Sequence, residues 1–203
     1  MVIGSYGGGV EVTAVELNPD IAAIYKDFFP EDEIIIGDAH EFLLKHFQEY
    51  DFIWSSPPCP THSRFNHLNI VKNRSIKYPD MKLYEEILLL QTFHNGYYCV
   101  ENVITYYDPL IMPVESNSHY YWVNFYFQRR KNLTRHIRAN DPQNSKLATK
   151  FGIDLSNYNL DNRFKRTIIN NCVHPEDGLH IFNSMLGISS KNDTEQQDLF
   201  PNI

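Results

Sequence analysis

The sequence predicts an α/β fold built on a mostly parallel sheet, and three observations predict it. Short Val- and Ile-rich segments alternate with longer segments of helical periodicity between residues 10 and 101. The joints carry helix-starting or strand-stopping residues such as Asn18-Pro19, Gly37-Asp38 and Pro57-Pro58. Polar or reactive residues recur where strands end, and open α/β sheets meet their ligands at the carboxyl ends of strands.

Taken in order, residues 10–17 alternate and are rich in Val, so they read as a strand ending at Glu16 and Leu17. Asn18-Pro19-Asp20 then starts a helix reaching about Phe29. Ile34 to Ile36 form a short strand closed by Gly37-Asp38, and a helix runs from about Ala39 to Gln48. Residues 51–56 make an apolar strand stopped by Pro57-Pro58. Residues 61–78 read as a polar, basic loop, followed by a long apolar helix from about Met81 to His94 and a strand over residues 97–101. Glu16, Asp38, the turn at residues 55–59 and Glu101 thus close four strands along one sheet edge. The opening is short: a helix cannot fit between Gly9 and the strand at Val10. Gly7-Gly8-Gly9 reads equally as a loop that approaches a ligand and as a flexible linker.

With 203 residues, 42% of them hydrophobic, 14% aromatic and 21% charged, the chain can bury its own core. That composition excludes wholesale disorder, collagen and coiled coil. No apolar run approaches the roughly 18 residues of a membrane helix, and no basic-then-apolar leader follows Met1, so a cytoplasmic protein is expected. Three cysteines make no disulfide framework. Cys99 and Cys172 read as packing. Cys59-x-x-His62 and Cys172-x-His174 lack the further paired cysteines of a zinc site, so no metal is expected.

The net charge of −7 is unevenly spread. Residues 126–166 hold ten Lys and Arg against three Asp, a local +7, which leaves eight basic against twenty-two acidic residues, or −14, elsewhere. An acidic body with one basic segment suits either a solvated face or a surface that neutralises phosphates.

Ser56-Pro57-Pro58-Cys59 after one apolar strand, followed 42 residues later by Glu101-Asn102-Val103 after another, resembles the DNA cytosine-5 methyltransferase family. The chain is similar to short bacterial and phage members. Residues 119–125 (His119 to Phe125) look like the family's aromatic strand, and residues 166–175 look like its final Asn-x-Val-x-Pro turn, entering a last helix over about Pro175 to Leu186. The resemblance implies a Rossmann-like S-adenosylmethionine-dependent methyltransferase fold with a small target-recognition region. Its parts would be a catalytic core over residues 1–126, a recognition region over 127–161, a segment over 162–188 returning to the core, and a flexible tail over 189–203.

The resemblance also implies the chemistry. C5 of cytosine is a poor nucleophile, so a thiolate adds to C6 and makes C5 able to accept the methyl group of S-adenosyl-L-methionine, leaving S-adenosyl-L-homocysteine. Cys59 would be that nucleophile, its pKa lowered with help from basic neighbours such as Arg64. Glu101 would hold or protonate N3, and Asn102 would position the ring. Glu16, Leu17, Asp38, Ala39, Pro57 and Asn171 would hold the cofactor, Glu16 at the ribose hydroxyls and Asp38 at the adenine. The base must be flipped out of the duplex, with a mobile loop after Cys59 closing over it. Ser63, Arg64, Lys72, Arg74, Lys77, Arg129, Arg130, Arg163 and Lys165 are candidate contacts to the nucleic acid.

The partner implied is double-stranded DNA, and in a restriction-modification pair a cognate endonuclease; neither membrane nor metal is implied. A bacterial or phage-encoded, nucleoid-associated protein fits that reading. The chain departs from the family at its opening, where a strand ending Phe-x-Gly-x-Gly and a full helix are usual. It also has Asn117-Ser118-His119 where an arginine reads cytosine O2, leaving His119, Arg129 or Arg130 for that task. Two alternatives stay open: an inactive or split family member serving as an accessory DNA-binding subunit, and a cytosine-5 methyltransferase acting on tRNA.

Overall fold

A computed structural model describes residues 2–6, 10–71, 77–130 and 152–188. Two compact units divide the chain, Met1–Phe125 with Arg129–Lys131, and Tyr126–Gln128 with Asn132–Ile203.

The first unit is a seven-stranded sheet with helices between its strands. Its elements are β1 (Val2–Tyr6), β2 (Val10–Glu16), α1 (Pro19–Phe28), β3 (Glu33–Ile36), α2 (Ala39–His46), β4 (Phe52–Ser55), α3 (Arg64–Val71), α4 (Lys82–Phe93), β5 (Tyr97–Val103), β6 (Val114–Ser116) and β7 (His119–Val123). The strand order is β3-β2-β1-β4-β5-β7-β6. β2 is parallel to β3, and β4 to β5. β1 is antiparallel to both β2 and β4, and β7 to both β5 and β6. It follows that β2, β3, β4, β5 and β6 share one direction, against β1 and β7.

The expected mostly parallel pairing is therefore corrected to a mixed sheet, and the reason is covalent. A parallel neighbour needs a crossover of roughly a dozen residues or more, whereas Gly7, Gly8 and Gly9 alone separate β1 from β2. The two strands can pair only by turning back, with Tyr6 opposite Val10 and Val2 opposite Ala14. Tyr6 and Val10 thus lie at the amino end of β2, across the sheet from Glu16.

Local chemistry accounts for most of the other elements. Asn18 caps α1 by accepting from the Asp20 and Ile21 N–H groups at 2.9 and 3.3 Å, with Pro19 at the first helical position. Asp38 caps α2 in the same way, from His40 and Glu41 at 2.8 and 3.2 Å. α2 and α4 pack on the sheet through Leu43, Leu83, Tyr84, Ile87 and Leu90 against Ile53, Tyr98, Val100 and Trp122. Gly96 is required where β5 begins, because a Cβ there would run into the Asp51 carbonyl. Asn117 and Ser118 both have positive φ, 46° and 67°, as a two-residue turn between β6 and β7 demands, and they set Ser116 opposite His119. One expected loop is partly helical: residues 61–78 contain α3.

In the second unit, α5 (Asn162–Asn171) is capped by Asp161, and α6 (Pro175–Met185) by the His174 side chain with Pro175 at its first position. Phe127, Leu155, Ile168, Ile169, Ile181 and Met185 are buried there, and His180 Nε2 pairs with the Gln128 carbonyl at 2.8 Å. The turn into the last helix is as expected, but residues 166–170 belong to α5 rather than to that turn. Most of the expected recognition region (131–151) and the expected tail (189–203) lie outside the described residues. No helix among the described residues is long and apolar enough to cross a membrane.

Candidate active site

Because β2 to β5 share a direction, their carboxyl ends meet at one edge of the first unit, and a cleft of about 250 Å³ opens there. Its lining includes Glu16, Leu17, Asp38, Ala39 and Pro57, five of the six residues expected at a cofactor. The volume lies just below the roughly 300–1,000 Å³ of small-molecule sites. The sixth, Asn171, ends α5 in the other unit and is exposed.

Each carboxylate at the β2–β3 end is oriented by its own chain. The Asn18 N–H donates to Glu16 Oε1 at 2.8 Å, leaving Oε2 for a ligand. Asp38 Oδ1 is engaged in capping α2, and Oδ2 lies 3.8 Å from Lys82 Nζ. The Glu41 N–H, followed by the His40 N–H and the Lys82 charge, holds the Asp38 carboxyl below the usual carboxylate range. Leu17, 69% exposed, offers a free apolar surface beside Glu16.

The cleft floor contains residues the sequence reading did not single out. Glu86 of α4 is buried and accepts from Ser55 Oγ at 2.5 Å, while its other oxygen lies 2.9 Å from His40 Nδ1. His40 Nε2 in turn faces Glu85 at 3.2 Å. The signal was present: Leu83, Glu86, Ile87 and Leu90 fall on one helical stripe, so a carboxylate interrupts an apolar face. His62 also lines the cleft and has no exposed surface.

At the β4–β5 end, Cys59 follows the Pro57-Pro58 turn, and its carbonyl accepts from the His62 and Ser63 N–H groups, both at 3.0 Å. Asn102 is buried, and its Nδ2 donates to the Pro57 carbonyl at 3.0 Å while Oδ1 accepts from the Val103 N–H. Asn102 thus ties the Cys59 turn to β5, which adds to its expected role at the ring.

Glu101 is buried beside them, its carboxylate 3.7 Å from His119 Nε2. Burial raises the Glu101 pKa, opposed by His119 and by the Ser56 hydroxyl. The His119 Nδ1 faces the Asn117 carbonyl at 3.2 Å, so Nδ1 carries a proton and Nε2 is presented to Glu101.

The Cys59 thiol is not activated as expected. Burial, and then the Glu101 carboxylate, raise its pKa. Arg64 instead acts on the Tyr120 hydroxyl. Cys59 is free of any disulfide, as are the buried Cys99 and the half-buried Cys172.

The candidate nucleic-acid contacts belong to several elements of both units. Arg64 is exposed and borders a second, open hollow of about 460 Å³ with Phe65, Leu68, Thr105 and Tyr106. Ser63 bridges to Thr105. Lys77 and Arg129 are exposed, and Arg130 is half-buried, its N–H donating to Ser116 Oγ at 2.9 Å. Arg163 and Lys165 are on α5 of the second unit. Lys72 and Arg74 lie outside the described residues. No protein-family model, curated protein or solved structure matches the chain.

Proposed function

We propose that this chain transfers a methyl group from S-adenosylmethionine to C5 of cytosine in double-stranded DNA, with Cys59 as the nucleophile. The observation that carries the reading is the meeting of two groups far apart in sequence. Glu16, Asp38 and Pro57 line one cleft, and the same sheet edge brings Cys59 next to Glu101 and Asn102. The sheet order and the shared direction of β2 to β5 suit a Rossmann-like methyltransferase fold.

The cleft's polarity fits the cofactor. Its side-chain carboxylates are Glu16, Asp38, Asp80 and Glu86, with Lys82 as the lysine among them. Such a site disfavours nucleotides carrying phosphates and accepts a ligand rich in hydroxyls and bearing positive charge. When bound, S-adenosylmethionine supplies an electrophilic methyl on a cationic sulfur. Glu16 would take the ribose hydroxyls through its open Oε2, and Leu17 would cover the adenine.

The protonation pattern assigns the remaining roles. A carboxyl whose pKa is raised suits donation of a proton to N3, which draws electron density from C6. A thiol whose pKa is also raised is not stored as thiolate, so loss of the Cys59 proton to solvent would accompany addition of its sulfur to C6. Asn102 holds the Pro57 carbonyl and so fixes where the thiol approaches the ring. His119, whose Nδ1–H is taken by the Asn117 carbonyl, would need a second proton on Nε2 to read O2 in place of the family's arginine.

A second reading, an accessory or split family member, is favoured by one observation: β1 is reversed, so Tyr6 and Val10, which flank the glycines, sit at the edge opposite the cleft. Transfer of radiolabelled methyl to unmethylated mixed-sequence DNA, with tRNA and the Cys59→Ala protein in parallel, separates these. Transfer to DNA by wild type alone is expected. Transfer to tRNA alone changes the substrate, and binding of neither cofactor nor product favours the accessory reading.

A further inference from the structure

We propose that the hollow between α3 and the segment after β5 holds an unstacked nucleobase next to the target cytosine, with Arg64 on an adjoining phosphate. The inference deepens the proposed function and rests on its reading of nucleic acid as the partner. The hollow, of about 460 Å³, is lined by Arg64, Phe65 and Leu68 of α3 and by Thr105 and Tyr106. That volume lies within the range of small-ligand sites.

Its place follows from the chain. Thr105 comes four residues after Glu101, and Arg64 five after Cys59. Both walls therefore begin within at most roughly 18 Å of extended chain from the proposed reacting pair.

The walls are also fastened to each other. Ser63 bridges to Thr105, and the Tyr106 N–H donates to the His62 carbonyl at 3.2 Å. Asn66 is buried, and its Nδ2 donates to the Thr61 and Lys77 carbonyls at 3.2 and 2.7 Å, which anchors the first turn of α3. The Tyr106 ring is braced edge-on by Tyr107, their centroids 5.1 Å apart. Phe65 is nevertheless 78% exposed and Leu68 48%. Large apolar groups held in water side by side on an anchored backbone mark a binding surface.

The lining selects the occupant. Phe65 and Tyr106 supply aromatic rings, on which any base can stack. Arg64 is exposed, no lining residue is acidic, and no ion pair among the described residues engages Arg64. An anion is favoured here, whereas the cleft with Glu16, Asp38, Asp80 and Glu86 repels one. Aromatic rings beside one delocalised cation fit a base with its phosphate. An acidic peptide supplies the anion without the planar ring.

The test is fluorescence anisotropy of a short mixed-sequence single strand of DNA and of a fully abasic strand of equal length, with S-adenosylhomocysteine present, on wild type, Phe65→Ala, Phe65→Tyr and Arg64→Gln. Phe65→Ala is expected to bind the intact strand about tenfold more weakly and the abasic strand unchanged, with Phe65→Tyr within about twofold of wild type on both. Arg64→Gln should weaken both strands and lower the slope of log affinity against log salt by about 0.7. In a duplex, 5-iodouracil placed beside the cytosines should crosslink on irradiation to Phe65 or Tyr106.

Equal losses by Phe65→Ala on the two strands, or affinity for the intact strand within about twofold of wild type, overturn the assignment. Crosslinks to neither ring do the same, and equal affinity of wild type for polyglutamate and the intact strand reassigns the hollow to an acidic peptide. Methyl transfer to DNA alongside any of these results leaves the proposed function standing and removes the hollow alone. Wild type that binds neither single strand nor duplex overturns both. If Phe65→Ala does not fold, the two strands on wild type decide, and equal affinity for them overturns the inference.

Discussion

The two ends of the cleft are built by different means. At the β2–β3 end, Glu16 and Asp38 are set by N–H groups of residues two and three positions onward. They stay partly solvated, and turn chemistry alone orients them. At the β4–β5 end, Cys59 on its turn and Glu101 within β5 lie 42 residues apart, meet only through the sheet, and have their pKa values raised by burial. On the proposed reading, cofactor affinity would be set locally and reactivity by tertiary packing.

The strongest way to break that comparison is Cys59→Ala, which should abolish methyl transfer by at least about 10³-fold while S-adenosylhomocysteine binding measured by calorimetry stays unchanged. Coupled loss of both would show that the two ends are one device. Glu101→Gln comes next, lowering transfer about 10²-fold in a single-turnover assay.

The same variant tests the protonation argument in two further ways. Removing the carboxylate should let Cys59 react with iodoacetamide at lower pH, because one of the two causes raising its pKa is gone. The effect on stability follows from the sign of the Glu101 shift. A carboxyl whose folded pKa is raised contributes stability at low pH that is lost as pH rises through the folded value. Glu101→Gln should therefore raise the melting temperature more at pH 8 than at pH 4, and a gain confined to pH 4 would contradict the burial argument.

Smaller effects belong to the other end. Glu16→Ala should weaken S-adenosylhomocysteine about tenfold and leave Cys59 alkylation untouched. Smallest is the pair Asp38→Ala and Asp38→Asn: the first should cost about 1 kcal/mol in urea unfolding by uncapping α2, while the second, still able to cap, should cost a few tenths. Equal losses would move Asp38 from a cap to a charge-dependent role.

Legibility in the sequence followed the same division. Asn18-Pro19 and Gly37-Asp38 announced their helices because a cap acts within three residues. The β2, β3, β4 and β5 strands and α4 were visible from periodicity, and so were their shared carboxyl ends. The reversal of β1 was not drawn from the sequence, although the short Gly7 to Gly9 link contained its cause. α3 was hidden because Phe65, Leu68, Ile70 and Val71 are interspersed with polar residues, and α5 because its first residue, Asn162, lies well before the Asn-x-Val-x-Pro motif. Glu86 was visible as an interruption in an apolar stripe. His62 was named only in the Cys59-x-x-His62 spacing, and its burial in the cleft lining comes from the fold.

By itself the sequence determined which residues cap helices and which strands end in polar groups, because each is encoded in short-range spacing. Only the tertiary structure decided that Asn102 tethers the Cys59 turn, that Glu86 and His62 line the cleft, and that burial beside Glu101 raises the Cys59 pKa. Those depend on strand direction and on exclusion of water, which arise only when distant segments pack together.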